Sequence, residues 1–229
     1  MIARARYGFF GLALVLLLLL PACAGSTAAR RFGPAGPDDV REALSAWTGA
    51  VRRAEGLPPS RLLYDAKMGT SGLPSVPGTL AALYDGERIQ SASLTGPFGS
   101  HVAEYRSGVI TGEDRKALVV DPEALRNVLA GVWIGAPDTP MVVGRSGPDC
   151  LLTWSGSGAY RAEGVLDLQA QRLRSLALSG GGGRLSVSYS GELRPWPERI
   201  ALKEDSSGRS LSLSLVATEP LAAPTAGRP

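Results

Sequence analysis

The sequence predicts a mainly β (α+β) protein in which a long antiparallel meander curls around two amphipathic helices. Three observations predict it. Short segments alternate strictly between apolar and polar residues: Leu185, Val187 and Tyr189 oppose Ser186 and Ser188, and Leu211, Leu213 and Leu215 oppose Ser212 and Ser214. Each such strand has one apolar face. Turn pairs such as Asp85-Gly86, Ser107-Gly108 and Ser207-Gly208 separate successive segments closely enough for hairpins. Only two stretches carry helical spacing.

Taken in order, the chain opens with Arg4 and Arg6, an apolar run from Phe9 to Leu20, and small residues at Ala22, Cys23, Ala24 and Gly25. This is the layout of a cleaved export leader over residues 1–22. The apolar run is shorter than the roughly 20 residues a membrane-spanning helix needs. Residues 23–37 are Gly, Ala, Pro, Ser and Arg without periodicity, which suits a flexible tether. One domain is expected over 38–217, and 218–229 reads as a disordered tail of similar composition.

The first helix is "DDVREALSAWTGAVRRAEG", with Val40, Leu44, Trp47 and Val51 at helical spacing, Asp38 or Asp39 as N-cap, and Arg52 and Arg53 in the last turn. Strands follow at "RLLYDAKM", "LAALYDG", "RIQSASLTG", "HVAEYRSG", "KALVVD", "CLLTWSG", "YRAEGVLDLQ", "RLRSLALSG", "RLSVSYSG", "RIALKED" and "SLSLSLVAT". The second helix is "DPEALRNVLAG": Asp121 caps it, Pro122 takes the first helical position, Leu125, Val128 and Leu129 form its stripe, and Gly131 ends it. Two helices and a one-faced sheet bury each other when the sheet curls and the helices cover its concave side. So few helices against so many strands leave room for an unfilled apolar concavity, which is a ligand site. Leu125, Leu129, Trp133, Ile134, Leu152, Trp154, Leu166 and Leu176 are the candidates to line it, although most such residues serve as ordinary core.

Composition excludes several functions. Besides Cys23 at the cut, Cys150 is the only other cysteine, so the domain is expected to have no disulfide of its own and to depend on its core. The formal charge of +3 falls by two when Arg4 and Arg6 leave, and a near-neutral domain has no electrostatic case for nucleic acid. His101 is the single histidine, which excludes histidine-cluster metal sites and leaves a Ser-His-Asp site only that residue to use. The run Gly180 to Gly183 lacks the Gly-Lys-Ser/Thr ending of a phosphate loop. Asp65, Asp85, Glu104, Glu163 and Asp167 are scattered, with no spacing that marks an acid/base pair. A non-enzymatic, cofactor-free, metal-free monomer is expected.

The stretch "TGPFGS" is turn chemistry: Pro97 sets φ and Gly99 tolerates positive φ, so Phe98 falls at a hairpin tip. Two arrangements are open. The ring is exposed and meets a partner, or it folds back and plugs one end of the barrel.

Two resemblances bear on these residues. "LPAC" resembles the lipobox of bacterial lipoproteins, which implies that Cys23 is lipidated and anchors the mature chain; two or more acyl chains give stable attachment. A plain secretory signal with an incidental cysteine is the alternative. Gly25 is not the Asp that retains enteric-type lipoproteins in the inner membrane, which implies an outer-membrane location with the domain facing the periplasm.

"SASLTGPFGS", the lipobox, the helix ahead of the sheet, "GVWIGAPD" and the closing hairpin "IALKEDSSGRSLSLSL" together resemble the LolB family of outer-membrane lipoprotein receptors. That resemblance implies an open, half-closed antiparallel β-barrel with helices on its concave face. It also implies a cavity for lipoprotein acyl chains, a LolA-like periplasmic carrier as partner, and delivery to the outer membrane. Gly96, Pro97, Phe98 and Gly99 then match the family's membrane-inserting loop. The chain departs from the family in having Phe rather than an aliphatic residue at the tip, the added "GTSGLPSVPG" stretch, and the four glycines from Gly180. The same scaffold also suits a structural or lipid-binding envelope lipoprotein without transfer activity.

Overall fold

The computed structural model of the chain describes residues 31–106, 109–112, 122–133, 140–154, 161–180, 183–193 and 195–221. The expected leader, Cys23, Ser107-Gly108, "KALVVD" with the Asp121 cap, Ile134, and the tail beyond Leu221 lie outside the described residues.

Among these residues the strands are β1 (Gly33–Pro34), β2 (Ser60–Thr70), β3 (Val76–Tyr84), β4 (Ile89–Thr95), β5 (His101–Arg106), β6 (Val109–Thr111) and β7 (Met141–Ser146). They continue as β8 (Asp149–Trp154), β9 (Arg161–Asp167), β10 (Arg172–Gly180), β11 (Gly183–Leu193), β12 (Pro197–Glu204) and β13 (Arg209–Pro220). All belong to one antiparallel sheet in the order β1-β7-β8-β9-β10-β11-β12-β13-β2-β3-β4-β5-β6. Chain neighbours pair with each other except that β1 pairs with β7 and β13 with β2, whose long ladder runs from Arg209↔Thr70 to Pro220↔Ser60 and joins the two halves. The sheet is open, with β6 at one edge and β7, partly covered by β1, at the other.

Two helices, α1 (Pro37–Glu55) and α2 (Pro122–Ala130), lie on the apolar face. The buried side of α1 is Ala43, Ala46, Trp47, Ala50 and Ala54, rotated from the expected stripe, because Val40, Leu44 and Val51 only flank it. Small residues let the helix approach closely, so that Trp47 meets Trp154 edge-to-face at 5.1 Å. Gly164 makes room for that indole: a Cβ there would lie 3.1 Å from the Trp154 ring. Both ends of α1 are tied to the sheet. Arg145 on β7 pairs with Asp39 at 2.6 Å and Glu42 at 2.7 Å, and Arg53 donates to the Gln171 side chain at 3.0 Å and to its carbonyl.

Several boundaries differ from expectation. The N-cap of α1 is Gly36, not Asp38 or Asp39; the Asp39 carboxylate instead reaches back to accept the Gly36 N–H at 2.8 Å. Gly33–Pro34, expected in the tether, pair with β7, and Gly144 is small because a Cβ there would stand 2.7 Å from the Gly33 carbonyl. Thr218–Pro220, expected in the tail, pair with β2. Half of the "GTSGLPSVPG" stretch also belongs to strands, Gly69 and Thr70 to β2 and Val76 to Gly78 to β3. Gly131 takes φ 69° after α2, as the helix-stop reading requires.

Because the ladders are antiparallel, the turns alternate between the two ends of the sheet. The β2–β3, β4–β5, β10–β11 and β12–β13 connections share one end. The β3–β4, β7–β8, β9–β10 and β11–β12 connections share the other.

Candidate functional site

Between α2 and the sheet lies an apolar cavity of about 240 Å³. Its inner wall is Leu80 on β3, Leu94 on β4 and Leu213 on β13, all buried, facing Leu125, Val128 and Leu129 of α2. Register explains the wall: Leu80 pairs with Leu94, while Leu211 and Leu213 pair with Met68 and Ala66 on β2. From there the cavity runs along β3 towards Val76 and along β13 towards Arg209. It reaches the β2–β3 turn, where Leu73 and Pro74 border it. Glu204, Arg209, Thr70 and Ser210 contribute the polar atoms of its edge, all at this outer end. The cavity therefore opens at the end of the sheet that carries the β2–β3 and β4–β5 tips.

The β4–β5 tip is a short 3₁₀ turn, Pro97–Gly99, closed by Gly96 N–H donating to the Ser100 carbonyl at 2.8 Å and Ser100 N–H to the Pro97 carbonyl at 3.2 Å. Gly99 has φ 75° as expected, and Phe98 itself also sits in the left-handed region at φ 58°, ψ 22°. That conformation suits Gly and costs an aromatic residue on the order of 1 kcal/mol. The backbone holds the ring away from the barrel, at 108% relative accessibility.

Of the eight candidate lining residues, Leu125 and Leu129 border the cavity. Trp133, Leu152, Trp154, Leu166 and Leu176 are buried in the core and do not border it. Ile134 lies outside the described residues, as does Cys23. The larger part of the lining, from Met68, Leu80 and Leu94 to Leu185, Leu202, Leu211 and Leu213, comes from strands whose alternation was plain in the sequence. What separates these residues from ordinary core is the height along the strand at which α2 stops covering them.

Apart from Glu204 and Arg209 at the mouth, the cavity lining carries no charge. At the opposite end Asp85 accepts N–H donors from Arg88 and Glu87, each at 2.9 Å, and a bond from the Gln90 side chain. The Arg88 and Gln90 bonds hold its carboxyl down at about 2. Asp167 is partly desolvated, but Ala170 N–H and the Arg174 guanidinium, at 2.8 Å, overcome that and lower its pKa. Arg174 also meets Asp149 at 3.0 Å. In the concavity, burial pushes the Tyr64 and Tyr189 phenols up, so both stay neutral. The Cys150 thiol is raised by burial as well, which makes it a poor nucleophile. His101 stands on β5 with Glu104 at 3.4 Å. Among the described residues no helix is long and apolar enough to cross a membrane.

No protein-family model matches the chain, and no curated protein matches it either. Solved structures do. A domain from Vibrio parahaemolyticus named for outer membrane lipoprotein sorting aligns with a TM-score of 0.50 at 12% identity, covering 83% of this chain and 95% of that one. A LolA-superfamily protein from Nitrosomonas europaea aligns with a TM-score of 0.51 at 14% identity, covering 77% and 94%. At such identities the likeness is one of fold: an open antiparallel sheet with helices on its concave face.

Proposed function

We propose that this chain is a membrane-anchored acceptor that takes the acyl chains of lipoproteins from a periplasmic carrier and releases them to the outer membrane. The observation that carries the reading is the apolar cavity between α2 and the sheet, open at the end where Phe98 projects. Anchoring through Cys23 follows the lipobox-like "LPAC". The fold shared with lipoprotein-sorting and LolA-superfamily structures supports the ligand class.

The physics of the cavity suits an alkyl chain. Its wall offers leucine and valine side chains, and its polar atoms sit at the mouth. Each methylene buried there gains about 0.8 kcal/mol, with no hydrogen bond needed to fix orientation. At about 240 Å³ it falls below the roughly 300 Å³ of small ligand pockets. It therefore holds one end of a long chain, the rest emerging past Leu73. Phe98 then touches the lipid into which that chain is released.

The test is transfer. A periplasmic carrier loaded with a lipoprotein is mixed with the processed chain bearing Cys23→Ser, and the two are separated to see which holds the cargo. Movement onto this chain supports the reading. Retention on the carrier, with no lipid bound by the chain, would favour a structural envelope lipoprotein whose barrel is filled by its own side chains.

A further inference from the structure

The added stretch between β2 and β3 has no role so far beyond bordering the cavity mouth. Its root is fixed, since Ser71 N–H donates to the Gly208 carbonyl and Leu73 N–H to the Thr70 carbonyl, each at 3.0 Å. Gly72 at φ 83° then turns the chain so that Leu73 projects, 69% exposed, with Val76 43% exposed behind it. The Phe98 turn is next to it on the same end of the sheet, because β3 pairs with β4 through Thr79↔Thr95.

Charge separates these two tips from those at the other end of the sheet. From Gly69 to Gly78 and from Thr95 to Ser100 no residue is charged; Gly, Pro, Ser and Thr surround Leu73, Val76 and Phe98. The β3–β4 tip at the opposite end carries Asp85, Glu87 and Arg88, and the β7–β8 connection is flanked by Arg145 and Asp149. The nearest charges at this end belong to the neighbouring β12–β13 turn, Glu204, Asp205 and Arg209, and to Lys67 on β2. An apolar tip ringed by small uncharged residues enters the headgroup region of a bilayer without desolvating an ion, which is the costly part of such a contact.

We infer that the β2–β3 tip, through Leu73 and Val76, is a second lipid-contacting prong beside Phe98, and that the two together seat the cavity mouth against the bilayer surface. The apolar lining is then continuous from Leu213 and Leu80 through Leu73 to the acyl region, so a chain leaves the cavity without crossing water. The inference deepens the delivery reading and rests on it only for the role of Phe98.

The test uses the processed chain with Cys23→Ser, so that no anchor contributes. An environment-sensitive fluorophore is placed by Leu73→Cys, Phe98→Cys or, as the control at the charged end, Glu87→Cys; the buried Cys150 stays unlabelled in the native protein. Vesicles of phosphatidylethanolamine and phosphatidylglycerol carry a spin-label quencher in their acyl chains. The expected result is quenching at positions 73 and 98 and none at 87. In the unlabelled protein Leu73→Glu should lower vesicle partitioning roughly tenfold at an unchanged melting temperature. Quenching at 98 without 73 overturns the second prong and leaves Phe98 as the single contact. Equal quenching at 87 overturns it too, since the contact then has no preferred end. Protection of position 73 by the loaded carrier, with no response to vesicles, would make this tip a protein-docking surface and sink the inference, while the transfer assay still judges the delivery reading.

Discussion

Phe98 combines two local costs, a left-handed backbone and a fully exposed aromatic ring, and neither is offset by a packing contact. Replacing it with glycine relieves the backbone cost. Phe98→Gly is therefore expected to raise unfolding stability by up to about 1 kcal/mol in denaturant titration, while lipoprotein incorporation into membranes falls. Phe98→Glu should fold normally and also deliver poorly; normal delivery by either variant would remove Phe98 from the proposed mechanism. Asp85 makes a different prediction. Its folded pKa is lowered to about 2 from the ordinary 3.8, so it contributes stability that is fully present above pH 3.8 and lost as pH falls through 2. Melting temperatures measured from pH 5 down to pH 2 should fall less steeply for Asp85→Asn than for the parent chain.

The helices and most strands were legible because their periods are strong. Trp47 stands at helical spacing, and the alternation around Leu213 has no competing signal. Of the strands that escaped, β6 is only three residues long, and in the others Gly or Pro masks the period. β7 reads "MVVGRS", where Gly144 looks like a turn but is required by the close passage of Gly33. The start of β3, Val76 to Gly78, looks like loop for the same reason. Gly164 belongs with them, a glycine demanded by a neighbour rather than by its own backbone. Gly164→Ala would press a Cβ to 3.1 Å from both Trp154 and Leu173. The expected cost is about 1–3 kcal/mol, read as a lower denaturation midpoint, with the Trp47–Trp154 contact loosened as a change in near-ultraviolet circular dichroism.

Across the whole molecule, the cavity was legible as a possibility but not as a place. Leu80, Leu176 and Leu213 follow the same inward alternation and are equally buried, yet Leu80 and Leu213 border the cavity under α2 while Leu176 does not. That difference depends on where the curled sheet leaves α2 behind. Enlarging a side chain at the void separates its two roles. Val128→Phe should occupy part of it and raise stability by about 0.5–2 kcal/mol in the unloaded protein, while abolishing the binding of an acyl-chain fluorescent probe. Retained probe binding would place the lipid elsewhere. The pairing of Gly33 and Pro34 with Arg145 and Gly144 has a consequence for posture. Followed backwards, the chain leaves that pairing towards Ser146, at the end of the sheet opposite Leu73 and Phe98, so the proposed anchor at Cys23 is reached from the far end of the sheet. From Cys23 to Phe32 the chain spans at most about 35 Å, and the 11-residue β2 is itself about 35 Å long. A domain moored at Cys23 that touches the same leaflet with Phe98 stands upright only with segment 23–32 close to full extension, so any slack in it tilts the sheet towards the membrane.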